Sequence, residues 1–329
     1  MSTHTPIKLF AAAATLILGS AGLAYGEDWR PTQPVNMIVP SNPGGGHDNN
    51  ARVLASILSQ HAGQPVNIIN QPAGGGVVAY NEMRSASPDG LTIGQVSISL
   101  VSDVYRIEGV DYDENSFAYI GQISTDQNVL TVSASGPYAD MNIIKFIDHA
   151  KERPGDIVFG VSGNWTNHDY TRLKFELATD TSFLRVPIKG GSQIVLSLMA
   201  GDVGIGALYP SEIKAQVEAG NLKMLAHNGD APIEEWPEVP SLVDEGIDVD
   251  LAIWRALVLP PETSEEIQAG WSAILENTMN DPALKEAYRS AGIGFAYRNS
   301  ADTKDLISAS AQVYRDLSIA AELTPEAVE

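Results

Sequence analysis

Short, largely apolar runs alternate with helix-length amphipathic segments along almost the whole chain of 329 residues. Val35–Val39 is typical of a buried strand, and Asp48–His61 repeats apolar residues at helical spacing, with Ala51 and Leu54 on one face. Asp48 is predicted to cap this helix. Strands that alternate with helices of this length favour parallel pairing and an α/β fold.

The same alternation continues to the C-terminus. It predicts strands at Gln64–Ile69, Leu91–Val96, Leu130–Ser133, Ile157–Phe159, Phe183–Val186, Val203–Leu208, Leu222–Ala226 and Leu251–Leu259. It predicts helices at Val78–Ser85, Asn142–Glu152, Asn167–Ala178, Gln193–Ala200, from Pro210, at Leu242–Glu245, Glu265–Met279, Pro282–Ala291 and Ala301–Ala321. We expect one α/β domain at 27–127, a second inserted at 128–250, and a return to the first at 251–329.

The N-terminal segment is typical of a secretory leader. Lys8 precedes the apolar stretch Leu9–Leu23, and Ala24-Tyr25-Gly26 provides the small residues of a cleavage site. We predict a signal peptide over residues 1–26, cleaved near Gly26. A membrane anchor is disfavoured because the stretch is short and rich in alanine. The chain contains no cysteine, which excludes a lipid-anchored cysteine, disulfides and thiol chemistry.

Composition and charge narrow the class of partner. Hydrophobic residues make up 44% of the chain, which is enough for folded cores. The 20 basic and 41 acidic residues give a formal net charge of −21. Such a protein is repelled by nucleic acid and by anionic membrane surfaces, so neither is expected as a partner. An anionic ligand would have to be held by short-range hydrogen bonds.

Two glycine-rich loops of similar design follow predicted strands and end in His-Asp at a helix start. They are Pro40–Asp48 and Gly160–Asp169. Glycine lets the backbone approach a ligand closely, and the start of a helix adds free N–H groups and a positive dipole end. Neither loop is a P-loop or a dinucleotide-binding fingerprint, because the required lysine and glycine spacing are missing. Two such loops predict a site for a small anion.

The His-Asp pairs also allow another reading. His47, Asp48, His168 and Asp169 could ligate a metal or form an acid–base pair in an exported hydrolase. However, adjacent side chains at a helix start point apart, and the chain has no G-x-S-x-G nucleophile motif. We therefore favour helix-terminal and hydrogen-bonding roles for these residues, and keep the metal-dependent or acid–base hydrolase as the alternative.

At this point the sequence resembles the periplasmic substrate-binding receptors of tripartite tricarboxylate transporters, the Bug family. Seven motifs carry the resemblance, in order and at familiar spacing, from about Pro34 to the C-terminus. They are Val39–Asp48 with Ala51-Arg52, Asn70–Gly76, Ser87–Thr92, Gly160–Gly163 with Thr166 and His168, Val186–Gly190, Pro237–Pro240 with Glu245-Gly246, and Trp254-Arg255.

The resemblance implies a two-lobed, type II-like periplasmic binding protein fold with the ligand cleft between the lobes. It implies a receptor without catalysis or cofactor that binds a small carboxylate, either a di- or tricarboxylate or an aromatic acid. The implied partners are the membrane components of a tripartite tricarboxylate transporter, or a sensor-kinase ectodomain. The expected ligand-binding residues are Ser41, Asn42, Gly44, Gly45, Gly46, His47, Asp48, Ser97, Ser99, Ser162, Gly163, Asn164, Thr166, Asn167, His168, Gly190, Asp202 and Tyr209.

Overall fold

The computed structural model describes Met1 and residues 29–229 and 232–325. Residues 2–26 of the predicted leader lie outside the described residues, so the leader stays a prediction. Two β-sheets, each with helices packed against it, form a two-lobed α/β architecture. Within the described ranges, no helix has the length and apolar character needed to cross a membrane.

Six strands form the first sheet, in the spatial order β11-β4-β10-β3-β1-β2. They are β1 (Val35–Val39), β2 (Val66–Asn70), β3 (Thr92–Ser97), β4 (Ala118–Asp126), β10 (Ile253–Leu259) and β11 (Phe295–Arg298). Five strands form the second sheet, in the order β7-β6-β8-β5-β9. They are β5 (Val129–Ser133), β6 (Val158–Val161), β7 (Leu184–Pro187), β8 (Ile205–Leu208) and β9 (Leu222–His227).

The helices cover the two sheets and bury continuous apolar cores against them. They are α1 (Gly46–Ala62), α2 (Val77–Ser85), α3 (Ser99–Arg106), α4 (Ile143–Lys151), α5 (Asn167–Thr179), α6 (Gly191–Ala200), α7 (Pro210–Glu218), α8 (Glu265–Asn280), α9 (Pro282–Ala291) and α10 (Ser300–Ala320). A short 3-10 turn, Ala73–Gly76, precedes α2. All residues of β5 and β10 are buried, as expected for central strands with helices on both faces.

Both sheets are mixed, so the expectation of parallel pairing holds only in part. β1 pairs parallel with β2 and β3, and β6 pairs parallel with β7 and β8. β10 is antiparallel to β3 and β4, and β5 is antiparallel to β8 and β9. These two strands enter their sheets from the other lobe rather than through a helical crossover, and only the crossover requires parallel pairing.

The chain passes from the first sheet to the second between Asp126 and Val129 and returns between His227 and Ile253. Division of the lobes at 127/128 and 250/251 remains a proposal. The predicted helix at Leu242–Glu245 is wrong, because this segment forms turns that end at Gly246 with a φ of 80°. There the Leu242 N–H donates to the His227 carbonyl at 2.8 Å instead of to a helix.

Candidate functional site

The first glycine loop joins the carboxyl end of β1 to α1 and is closed by Asp48. The Asp48 carboxylate accepts hydrogen bonds from the Gly44 N–H at 2.8 Å, Arg52 Nε at 2.9 Å and Asn70 Nδ2 at 2.9 Å. Burial raises the pKa of Asp48, but these bonds outweigh burial and leave it below its ordinary value. The predicted N-cap role is wrong, because Gly45 is the N-cap and Asp48 lies inside the first turn. Asp48 therefore fixes the shape of the loop.

The second loop joins the carboxyl end of β6 to α5 and is closed in the same way by Asp169. Asp169 accepts from the Trp165 N–H at 3.0 Å, Arg172 Nε at 2.9 Å and Arg185 Nε at 2.8 Å. Trp165 has a φ of 54°, in the left-handed region, and the Arg185 guanidinium lies 5.1 Å from its ring centroid. Thr166 is the N-cap of α5. Each loop is thus held by the same kind of hydrogen bond, from a backbone N–H group to an aspartate of the following helix.

His47 lies at the start of α1, in a chain of polar side chains. Gln95 Nε2 donates to Asn50 Oδ1 at 2.8 Å, which leaves Gln95 Oε1 to accept from His47 Nδ1–H at 2.9 Å. His47 Nε2 lies 3.3 Å from Ser97 Oγ and accepts a hydrogen bond from this hydroxyl group. Burial and then the positive charge of Arg255 lower the pKa of His47 to about 3, against the bond to Gln95. The lowered pKa favours the neutral form of His47 at physiological pH.

His168 is buried, at 3% exposure, but within the described chain neither of its ring nitrogens has a hydrogen-bond partner. Its Nε2 lies 3.6 Å from Glu212 Oε2, and its ring centroid lies 4.6 Å from that of Tyr209. Burial lowers the pKa of His168, although the charge of Glu212 opposes the shift. A buried imidazole without a partner is unfavourable, so His168 is suited to bond a ligand.

The remaining residues of the second loop present hydroxyl groups and backbone at the same edge of the sheet. Ser162 Oγ and Thr166 Oγ1 lie 3.2 Å apart, and Gly163 has a φ of 118°. Asn164 is exposed and accepts from Arg185 at 2.8 Å. These hydroxyl groups are placed to contact a ligand above the start of α5.

Asn167 connects the two lobes, although it was expected to bind ligand. Its amide nitrogen donates to the Leu251 carbonyl at 3.1 Å and to the Tyr314 hydroxyl at 2.8 Å. Its amide oxygen accepts from the Tyr209 hydroxyl at 3.2 Å and from Asn128 Nδ2. Because the four bonds use both N–H groups and both lone pairs, this amide is fully occupied by the protein.

The other predicted residues fall into two groups. Ser41, Asn42, Gly44, Gly45 and Gly46 belong to the first loop, and Ser97 and Ser99 flank the carboxyl end of β3. Tyr209 follows the carboxyl end of β8, beside the second loop, because β6 and β8 are parallel. Gly190 is the N-cap of α6, with a φ of 87°.

Asp202 does not join these residues. It precedes the amino end of β8, whereas Tyr209 follows the carboxyl end of the same strand. It lines a separate surface pocket together with Tyr138. The structure therefore places Asp202 at the opposite edge of the sheet from the loops.

Arg255 is a residue that sequence reasoning left out of the site. It lies in β10 at 3% exposure, and its NH2 group is 3.5 Å from the position of a Cβ at Gly46. NH1 donates to Asp126, while Nε has no partner within the described chain. A single charged residue within an otherwise apolar strand was the signal that could have identified it.

A groove of about 580 Å³ opens beside the site, between the lobes. Thr125–Gln127, Pro210 and Gly292–Phe295 line it, and none of the glycine-loop residues does. Its walls carry acidic side chains, Glu234, Glu235 and Glu286, together with the basic side chains of Lys285 and Arg289, so their charges do not select an anion. This groove is therefore separate from the two glycine loops.

A metal site has no geometric support in residues 29–229 and 232–325. Within these ranges no three His, Cys, Asp or Glu side chains converge to hold an ion. Asp48 and Asp169 are also occupied in separate loops by arginine and backbone N–H groups. The residues named for a hydrolase thus serve as two similar structural units rather than as one catalytic centre.

Comparison with known proteins gives a consistent result. Residues 50–323 match the model of the tripartite tricarboxylate transporter family receptor, TctC. A protein encoded in the gbd 5′ region of Cupriavidus necator is 30% identical over 300 residues, which are 90% of each chain.

Solved structures share the fold. A TctC solute-binding protein from Polaromonas superposes with a TM-score of 0.76 at 25% identity, over 87% of this chain and 98% of its own. Rpa4515 of R. palustris, solved with adipate, gives 0.78 at 22%, over 90% and 99%. MatC of Rhodopseudomonas palustris, with bound malate, gives 0.74 at 19%, over 88% and 99%. The expected two-lobed, type II-like binding protein fold is confirmed.

Proposed function

We propose that this chain, which belongs to the tripartite tricarboxylate transporter receptor family, captures a small carboxylate and delivers it to membrane transport components. Members of this family are solute-binding receptors, so the protein is a receptor and not an enzyme. Residues 1–26 would direct export to the periplasm and be removed near Gly26.

The observation that carries the proposal is the matched pair of braced glycine loops, one in each lobe. In each loop an aspartate holds the N–H of the residue four positions earlier, and a helix begins beside it. Each aspartate uses only one N–H group of its loop, and the first N–H groups of a helix have no partner within the helix, so they can bind an anion. A carboxylate between α1 and α5 would therefore be bound from both lobes.

The side chains around the loops suit a carboxylate held by neutral donors. The hydroxyl groups of Ser162 and Thr166 can donate, and His168 has no protein partner in the described ranges. Each charge-assisted hydrogen bond contributes about 1.5–3 kcal/mol. Three or four would support micromolar binding, which requires about 8 kcal/mol. The ligands printed for Rpa4515 and MatC, adipate and malate, are both small dicarboxylates.

The test is a panel of mono-, di- and tricarboxylates and aromatic acids, screened by thermal shift and followed by calorimetry. We expect at least one acid to raise the melting temperature and to bind with a micromolar or lower Kd. A Ser162→Ala/Thr166→Val variant should raise the Kd for that acid by roughly 10-fold or more. Ser308→Ala is the control, because it removes a hydroxyl group from an exposed position on α10, outside the two loops. Absence of any shift across the panel would contradict the proposal.

A further inference from the structure

We propose that Arg255 binds a second carboxylate of the ligand, so that the preferred ligand is a dianion with two carboxylates. The inference rests on the proposed capture of a carboxylate by the two glycine loops. It adds the class of ligand and the residue that selects it.

The sheet register places Arg255 at the floor of the site. Arg255 pairs with Ser97 of β3 and with Ser124 of β4 in antiparallel register. Side chains directly opposite each other in such a pair lie on the same face of the sheet. Ser97 Oγ is 3.3 Å from His47 Nε2, so the guanidinium lies on the face that carries the His47–Ser97 contact. Its NH2 group lies 3.5 Å from where a Cβ at Gly46 would be.

The hydrogen bonds of the guanidinium leave one edge free. Asp126 binds Arg255 through NH1. Nε is buried and unpartnered in the described chain, and NH2 faces Gly46 of the first loop. Together Nε and NH2 form the second edge of the planar fork, which matches a carboxylate through two parallel hydrogen bonds. Asp126 therefore orients the arginine and leaves a bidentate edge for another anion.

The positive charge of Arg255 affects the pKa values of residues in both lobes. Its charge contributes to the lowered pKa of His47, after burial, on the side of the first loop. Burial raises the pKa of Tyr209 well above its ordinary value, and Arg255 is the first charge that opposes this rise. Tyr209 belongs to the second lobe and lies beside His168. A ligand held between the loops is thus within the field of this one buried cation.

The net charge of −21 disfavours the entry of a dianion, and a local cation offsets this repulsion. One carboxylate is satisfied by helix N–H groups and hydroxyl donors, as argued for the loops. A second carboxylate, brought into a strongly acidic protein without a positive partner, would be repelled. Arg255 supplies that partner, whereas a monocarboxylate would leave its free edge unpaired.

A purely structural role would use the same ion pair differently. Arg255 and Asp126 join β10 to β4, and this link alone could explain a buried arginine. In that case the loss of either partner would disturb the fold and weaken the binding of every ligand to the same extent. Dianion selection predicts instead that Arg255 affects only ligands with two carboxylates.

The experiment measures Kd by calorimetry for two matched pairs, succinate against butyrate and adipate against hexanoate. The proteins are wild type, Arg255→Gln, Asp126→Asn and the double variant Asp126→Asn/Arg255→Gln. The double variant removes both charges and so leaves no unpaired buried ion. It can therefore be measured even if Arg255→Gln alone does not fold. Arg298→Gln is the control, because it removes the same charge from an exposed position in the same sheet.

We expect wild type to prefer a dicarboxylate over its matched monocarboxylate, and Arg255→Gln or the double variant to lose that preference by roughly 10- to 100-fold. Arg298→Gln should keep the preference, and Asp126→Asn should reduce it less than Arg255→Gln does, because the guanidinium remains. Loss of equal size for both members of a pair, or the same loss in Asp126→Asn, would overturn dianion selection while leaving carboxylate capture intact. Failure of wild type to bind any carboxylate would instead overturn the proposed function itself.

Discussion

Asp48 and Asp169 make the same hydrogen bond in the two lobes, each with the N–H of the residue four positions earlier. The donors are Gly44, at 2.8 Å, and Trp165, at 3.0 Å. Each aspartate is also bound by an arginine of its own helix, Arg52 or Arg172. The lobes differ in how deeply that arginine is buried, and this difference sets the size of the effect when the aspartate is removed.

We predict that Asp169→Ala destabilises the protein more than Asp48→Ala. Arg172 is 7% exposed, whereas Arg52 is 54% exposed and stays hydrated without its partner. Removing one member of a buried ion pair costs about 3–5 kcal/mol, and Asp169→Ala should cost about 3 kcal/mol, near the lower end, because Arg172 keeps Glu176 as a partner. Asp48→Ala should cost about 1–3 kcal/mol, mainly from lost hydrogen bonds. Urea unfolding of both variants, with exposed Asp305→Ala as the control, measures the difference; equal losses would contradict the role of burial.

The lowered pKa of His47 predicts that the free energy of unfolding decreases at acid pH. Burial and then Arg255 lower its pKa to about 3 in the folded protein, against an ordinary value of 6.5. The folded state therefore binds this proton less readily than the unfolded chain. The stability from neutral His47 is complete above pH 6.5 and is lost as the pH falls toward 3. The free energy of unfolding should decline by at most about 1.4 kcal/mol per pH unit from this residue.

His47→Gln isolates this effect, because glutamine does not titrate. The measurement is the free energy of unfolding at several pH values for both proteins. His168 and His227 also have lowered pKa values because of burial, and their contribution is common to both proteins. The difference between the two curves should therefore shrink or change sign between pH 6.5 and 3, and parallel curves would refute the assignment.

Asn167 is expected to be the most sensitive position in the contact between the lobes. Asn167→Ala removes one of the two acceptors of Asn128 Nδ2 and the donor to the Leu251 carbonyl, both in a buried setting. The expected loss is about 2–5 kcal/mol. Tyr314→Phe removes only one acceptor from the same amide and should cost about 1 kcal/mol. Thermal and urea unfolding test both variants, and a smaller loss for Asn167→Ala than for Tyr314→Phe would show that the bonds do not hold the lobes.

A side chain at Gly191 is predicted to be destabilising, because its Cβ would overlap the Glu212 carboxylate and displace it. Glu212 Oε2 accepts from the Tyr209 N–H at 2.9 Å, so the displaced carboxylate would loosen the start of α7. Gly191→Ala should cost about 1–3 kcal/mol.

The double variant Gly191→Ala/Glu212→Ala tests this cause. If the clash is with Glu212, the two losses should fall short of additivity by at least about 0.5 kcal/mol in a double-mutant cycle. Additive losses would mean that the alanine methyl group meets another obstacle.

Helices and strands whose apolar residues recur at a regular spacing could be predicted from the sequence. Val35–Val39 and Pro282–Ala291 match β1 and α9 residue for residue, and the helix predicted at Asp48–His61 corresponds to α1. β4 was missed because Gln122 and Ser124 interrupt its apolar pattern. These polar groups are buried with partners from distant segments, such as Thr303, whose hydroxyl accepts from the Gln122 N–H. β11 was missed because it is a four-residue edge strand.

The site was predictable where it depends on local backbone and less so where it depends on tertiary contacts. Glycine-rich loops before helices are visible in the sequence, and the receptor family follows from them and the other motifs. The bond from Asp169 to Arg185 joins positions 16 residues apart, and its geometry depends on β7. Arg255 comes near Gly46 only because β10 lies beside β3, which no local pattern reveals.

The position of β10 also has a consequence for the order in which the molecule is built. β10 lies between β3 and β4, so these two strands are joined only after residue 259 has been synthesised, and the first sheet is complete only after β11, which ends at Arg298. The second sheet uses residues 129–227, an unbroken stretch. During synthesis the inserted lobe can therefore fold first, while β3 and β4 wait with open edges. The strand edges of the first lobe therefore stay unpaired for a longer part of synthesis than those of the inserted lobe.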